Sequence, residues 1–145
     1  MGRTMRRFTI VLGATALLAS LATGVALAGK PAHQSGGGTS SLSLVLVSDS
    51  NSDTVPNWGE TVTFNVSTTA TDYPSVSMDC YQNGTRVYSH SAGFYPTYPW
   101  PQSQNFQLQS YVWTSGAADC TADLYYMNSK GKSVTLKTLP VHVND

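Results

Sequence analysis

Asn83-Gly84 sits between two runs of alternating residues, Val76-Ser77-Met78-Asp79-Cys80-Tyr81 before it and Arg86-Val87-Tyr88 after it. Asn-Gly tolerates the two positive φ angles of a two-residue type I′ turn, so the runs are expected to pair as antiparallel strands. That turn sets Tyr81 opposite Arg86, Cys80 opposite Val87, Asp79 opposite Tyr88 and Ser77 opposite His90. The second of the chain's 2 cysteines, Cys120, lies in another alternating run, Ala118 to Tyr126. With Cys120 opposite Cys80, Asp79 faces Thr121, Tyr81 faces Asp119 and Ser77 faces Asp123. Val76, Met78, Cys80, Ala122, Leu124 and Tyr126 then share one inward face.

Whether two cysteines bond depends on the compartment, and the N-terminus speaks to that. Arg3, Arg6 and Arg7 precede an apolar run from Ile10 to Leu27 that ends in Ala26-Leu27-Ala28. A basic start, an apolar middle and an A-x-A end make residues 1–28 an expected signal peptide, cleaved after Ala28, in preference to a membrane anchor. The sequence around Arg6-Arg7-Phe8 matches a twin-arginine signal poorly, which favours general secretion. With Gly29 rather than a cysteine directly after the cleavage site, a lipoprotein anchor is not expected. In an oxidising compartment Cys80 and Cys120 are expected to pair as a disulfide. The whole chain carries 8 basic and 8 acidic residues; without the three arginines 5 basic remain, a net charge of about −3. No basic patch is left for nucleic acid, and no membrane association is expected after cleavage.

Residues 29–40 are Gly/Ser-rich and read as a flexible leader, with His33 solvated. From residue 41 the pattern is that of one β-domain. Expected strands are 42–47, 61–67, 76–81, 85–90, 105–109, 119–126 and 133–143. Asn128-Ser129-Lys130-Gly131 suits a type I turn with Gly131 left-handed, placing Val134 opposite Tyr126 and Leu136 opposite Leu124. Pro140 is expected to bulge the last strand and turn Leu139, Val141 and Val143 inward.

Gly59-Glu60-Thr61-Val62-Thr63-Phe64 resembles the start of the second strand in bacterial immunoglobulin-like and fibronectin-like domains of exported proteins. Gly116-Ala117-Ala118-Asp119-Cys120-Thr121-Ala122 is similar to their penultimate strand. The resemblance implies an all-β, immunoglobulin-like antiparallel β-sandwich of about seven strands over residues 41–145, and it carries no activity. The cysteines depart from the antibody pattern. They fall on the third and sixth strands rather than the second and sixth, so the bond should join neighbours within one sheet. The third strand has no tryptophan to pack on the bond, and Trp113 is placed to fill that space.

Candidate sites follow from the same register. Ser77, His90 and Asp123 would form one cross-strand row, but with Ser77 in the middle the histidine cannot bridge serine and acid as a hydrolase triad requires. Asp79, Asp119 and Asp123 share an outer face, where Arg86, Lys132 or Lys137 can neutralise them, and His142 reads as a surface residue. Asp49 to Asp53 is a polar turn whose alternating Asp49, Asn51 and Asp53 faintly resemble a calcium loop, but the glycine and the distal glutamate of an EF-hand are missing and a plain loop is expected. No cofactor and no metal are expected.

The most distinctive stretch is Phe94-Tyr95-Pro96-Thr97-Tyr98-Pro99-Trp100-Pro101, four aromatics and three prolines between the fourth and fifth strands. It can be neither helix nor central strand. It is either a stiff crossover that covers one edge of the sandwich or a ligand surface centred on Tyr95, Tyr98 and Trp100. The expectation is a secreted, monomeric, non-enzymatic binding module for an extracellular protein or glycan. The alternatives are a carbohydrate-binding module using this loop, or a small secreted hydrolase or hydrolase inhibitor. The sequons Asn65-Val66-Ser67 and Asn83-Gly84-Thr85 matter only in a host that glycosylates them.

Overall fold

A computed structural model describes residues 38–145; the expected signal peptide and most of the leader, His33 included, lie outside the described residues. Seven strands follow in order: β1 Ser40–Leu46, β2 Thr61–Thr68, β3 Ser75–Gln82, β4 Thr85–Gly93, β5 Phe106–Gln107, β6 Ala118–Met127 and β7 Ser133–Val143. They form two antiparallel sheets, β1-β2-β5 and β4-β3-β6-β7. Each corresponds to a strand expected from the alternation. The fifth is shorter than expected because the chain turns just past Leu108, where the Gln109 N–H donates back to the Gln107 carbonyl (2.8 Å).

Alternation decides which side chains meet between the sheets. β2 and β5 contribute Val62, Phe64 and Phe106, while β3 and β6 contribute Val76, Met78, Cys80, Cys120, Ala122 and Leu124, all buried. Phe64 meets Phe106 edge-to-face with centroids 5.1 Å apart. Each such ring removed from water stabilises the fold by roughly 1.5–3 kcal/mol. Trp113 is fully buried in the same core as both cysteines. Its indole N–H donates to the Gly116 carbonyl (2.8 Å), so the polar edge of the ring is satisfied inside.

The central register is as expected on one side of β3. Cys80 is opposite Cys120, Asp79 opposite Thr121, Ser77 opposite Asp123 and Tyr81 opposite Asp119. The disulfide joins these neighbouring strands directly, with Cα atoms 3.9 Å apart. Asn83 (φ 50) and Gly84 (φ 80) make the expected turn, and Tyr81 faces Arg86.

Beyond that pair the hairpin departs from the simple register. A bulge inserts Val87, so Cys80 faces Tyr88 rather than Val87, Asp79 faces Ser89 rather than Tyr88, and Ser77 faces Ser91 rather than His90. Both Val87 and Tyr88 thereby turn inward, Tyr88 against Trp113 with centroids 6.1 Å apart. The Ser110 hydroxyl donates to the Val87 carbonyl (2.6 Å) at the bulge.

The final hairpin shows a second shift. Val134 faces Tyr126 as expected, but Leu124 faces Lys137 rather than Leu136, because the extra residue is Leu136. Pro140 is not the bulge; it lies in register opposite Thr121, on an edge strand where a missing N–H is tolerated. Leu139, Val141 and Val143 nevertheless pair with the inward Ala122, Cys120 and Ala118, the set expected to face the core.

The disulfide closes a loop of 40 residues across the middle of the larger sheet. Replacing both cysteines with alanine is expected to lower the unfolding free energy by about 4 kcal/mol on the chain-entropy model. Urea unfolding of the oxidised chain against the double variant measures it.

Candidate functional site

The connection from β4 to β5 is built as a pinned arch. At its start the Phe94 N–H donates to the Pro74 carbonyl (2.8 Å) and the Tyr98 N–H to the Tyr95 carbonyl (3.0 Å). Pro101 opens a single 3₁₀ turn, Pro101–Gln104, where its fixed φ fits and its absent N–H is no loss. At the far end the Gln104 amide donates to the Gly93 carbonyl (2.7 Å), and Thr63 Oγ1 donates to the Gln104 carbonyl (2.8 Å). The arch is tied to strands of both sheets.

Its rings form a row. Tyr95 meets Tyr98 (5.3 Å) and Tyr98 meets Trp100 (5.8 Å), each edge-to-face. Tyr73, from the turn between β2 and β3, extends the row by meeting Tyr95 at 5.2 Å. The ends are the most open members, Tyr73 at 64% and Trp100 at 59% exposure, whereas Tyr95 and Tyr98 are half-buried. Of the expected surface residues, only Trp100 is mainly free. Tyr95 and Tyr98 fold back over Gly93, and Tyr98 packs against the core.

Tyr73 was not among the residues expected to form this surface. Ser75 pairs with Gly93, and continuing that count two residues past the strand ends brings Tyr73 across from Tyr95. The signal was therefore present in the hairpin, hidden by the bulge. Beneath the row lies an open depression of about 480 Å³, lined by Phe94, Tyr95, Pro96, Tyr98, Pro101 and the exposed Asn65. No residue from 94 to 105 is charged, so the arch is neutral, while the exposed Asp72 stands next to Tyr73.

The other candidates are dispersed. His90 lies opposite Met78 and turns to the inner side, its ring 4.7 Å from Phe106 and its Nε2 2.7 Å from the Ser103 carbonyl. The row of Ser77, His90 and Asp123 is thus broken, with only Ser77 and Asp123 left as neighbours. Each outer aspartate has its own partner: Asp79 lies 3.6 Å from Arg86, Asp119 lies 2.7 Å from His142, and Asp123 accepts from the Thr138 hydroxyl. Lys132 and Lys137 pair with none of the three. Among the described residues no three Asp, Glu, His or Cys side chains converge in the manner of a metal centre, and no helix is long and apolar enough to cross a membrane.

One titratable group in the core stands out. Burial pushes the Tyr88 phenol up to about 12.

The chain matches no protein-family model, no curated protein and no solved structure with which it was compared.

Two measurements bear on this geometry. A Cβ at Gly93 would come within 2.5 Å of the Tyr98 ring and 2.6 Å of the Tyr95 ring. Gly93→Ala should therefore cost about 1–3 kcal/mol of stability and alter the near-ultraviolet circular dichroism. An unchanged spectrum would show that the rings do not rest on Gly93. Tyr88 predicts alkaline behaviour: the native state holds its proton past the ordinary value of 10.0, up to about 12. Its contribution to stability, complete below pH 10, is lost as pH rises through about 12. Tyr88→Phe should flatten that part of the stability profile.

Proposed function

We propose that the chain is an exported, immunoglobulin-like binding module, without catalytic activity, that uses the row of Tyr73, Tyr95, Tyr98 and Trp100 to hold an extracellular ligand. The observation that carries this reading is the row itself: four rings in sequential contact with the outer two exposed, three of them on an arch pinned to both sheets and Tyr73 beside it on the turn before β3. Large apolar area on a stiff frame is what a binding surface needs, because little conformational freedom is lost when a ligand docks.

Support for the immunoglobulin-like part comes from the division of strands. Three strands, β1-β2-β5, face four, β4-β3-β6-β7, and non-consecutive neighbours in both sheets give the crossed connectivity of Greek-key sandwiches. Support for export comes from the basic and apolar N-terminus together with the disulfide.

The tilt of the rings narrows the ligand. Successive planes stand at 77°, 72° and 83°, so they do not make the coplanar platform that would stack on a flat polysaccharide face. A partner with relief fits better, and the protein surface is the first reading. A glycan-binding module is the second, favoured by the exposed indole of Trp100 in a neutral setting of amides and hydroxyls, where one sugar ring can stack.

The test is a binding screen by biolayer interferometry against proteins exported by the same host and against soluble wall glycans. For whichever ligand binds, Trp100→Ala should weaken affinity by about 30-fold, the effect of losing a central aromatic anchor. Asp79→Asn and Asp123→Asn should leave affinity unchanged. Full affinity in Trp100→Ala would remove the row from consideration.

A further inference from the structure

The connection from β1 to β2 does not end as a turn at Asp53. It runs on to Glu60, whose carboxylate reaches back to accept hydrogen bonds from the Ser50 N–H (2.7 Å) and hydroxyl (2.9 Å). Counted from Asp49, side-chain oxygen donors stand at positions one (Asp49), three (Asn51), five (Asp53), nine (Asn57) and twelve (Glu60). Position seven, Val55, offers its backbone carbonyl. This is the donor spacing of a twelve-residue calcium loop, in which the seventh residue also serves through its carbonyl and the twelfth is glutamate. The distal glutamate expected to be missing is therefore present. At position six, where such loops use glycine, Thr54 holds φ 66, the left-handed conformation that glycine adopts without strain.

Spacing is one observation; Asn57 supplies another. It is only 6% exposed. Its amide nitrogen lies 3.1 Å from each Asp53 carboxylate oxygen, 3.0 Å from the Val55 carbonyl and 3.5 Å from Glu60 Oε2. An amide nitrogen has two protons, so four oxygens from three residues surround a donor that can serve two. The Oδ1 of the same amide accepts no hydrogen bond from any described residue. Gln82 also faces several carbonyls, but they are neutral and that site is largely open to water.

Charge points the same way. Asp49, Asp53 and Glu60 bring three carboxylates into one loop, and Glu60 is only 3% exposed. The ion pairs among the described residues, Arg86 with Asp79 and His142 with Asp119, involve none of them. Burial opposes the charge on Glu60, but hydrogen bonds from Ser50 and Asn57 outweigh it and hold the carboxyl below its usual value, so the loop presents it as an anion. Turning the Asn57 amide over presents Oδ1 instead of Nδ2 and makes the inward set all oxygen, which a cation would hold together.

We propose that the loop from Asp49 to Glu60 binds one calcium ion through Asp49, Asn51, Asp53, the Val55 carbonyl, Asn57 and Glu60. Six hard oxygen donors, with Glu60 able to supply two oxygens, match the six to eight that calcium takes. Magnesium, which demands a smaller regular octahedron, fits a twelve-residue loop of this kind less well. The three acids do not by themselves draw together into a metal centre, and Asn51, Asn57 and the Val55 carbonyl supply the other half of the donor set. The loop also pairs with the chain's end, the Trp58 N–H donating to the Asn144 carbonyl (2.8 Å) and the Asn144 N–H to the Pro56 carbonyl (2.9 Å). An ion there would fasten β7 to the start of β2, at the opposite end of β2 from Tyr73.

The experiment uses the full-length chain after treatment with EDTA. Isothermal titration with calcium should show one ion per chain with a Kd of about 10⁻⁴–10⁻³ M, the range of extracellular calcium modules. About 10 mM calcium should raise the Tm by several degrees, and the same concentration of magnesium should not. Terbium should give luminescence sensitised by Trp58. Asp53→Asn, at an exposed position, should weaken calcium at least tenfold without unfolding the chain, and Glu60→Gln should abolish binding, while Asp123→Asn should leave it intact. Absence of both heat and terbium luminescence, an equal response to magnesium, or unchanged affinity in Asp53→Asn would each overturn the assignment.

Discussion

The fold depends on the alternation along β3. Placed between β4 and β6, it is held by a hairpin turn on one side and by the disulfide on the other. A slip of one residue would send Val76, Met78 and Cys80 to solvent and bring Ser77 and Asp79 inside. The Asn83-Gly84 turn opposes that slip on one side and the Cys80–Cys120 bond opposes it on the other. Once β3 is fixed, Ala122 and Leu124 on β6 have only one way to face, and β7 follows from β6.

Much of this was legible in the chain because period-two alternation and turn chemistry are local properties. The strand pairs on the β6 side of β3, both hairpin turns and the inward set on β7 could be counted from them. The two bulges could not, because each is settled by competition for space in the core. Val87 and Tyr88 are both large and apolar, and the backbone takes in an extra residue so that both are covered. Leu136 and Leu139 are three apart, an odd spacing that requires one shift, and the shift falls at Leu136 while Pro140 stays in register.

The aromatic stretch was visible as composition, but its division of labour was not. Nothing in the order Tyr95, Tyr98, Trp100 tells which ring shields a glycine and which stands free; that follows from the space above Gly93. Tyr73 lay outside the stretch and joined it through strand pairing. The polar turn after β1 looks complete at Asp53 for a similar reason. Its closing acid stands in the approach to the next strand, and only the return of the Glu60 carboxylate to Ser50 shows that the two belong to one loop.

The position of the disulfide has a mechanical consequence. Tyr95, Tyr98, Trp100 and the whole arch lie inside the ring that Cys80 and Cys120 close, while both termini lie outside it. Tension applied through the ends runs past this segment, and the 40 residues held in the ring, worth about 130–140 Å of extended chain, are never drawn out. A protease that cuts the arch once leaves its two halves joined through the core. The arch with Tyr95, Tyr98 and Trp100 is thus the part of the molecule that neither a pull on the ends nor a single cut can carry away.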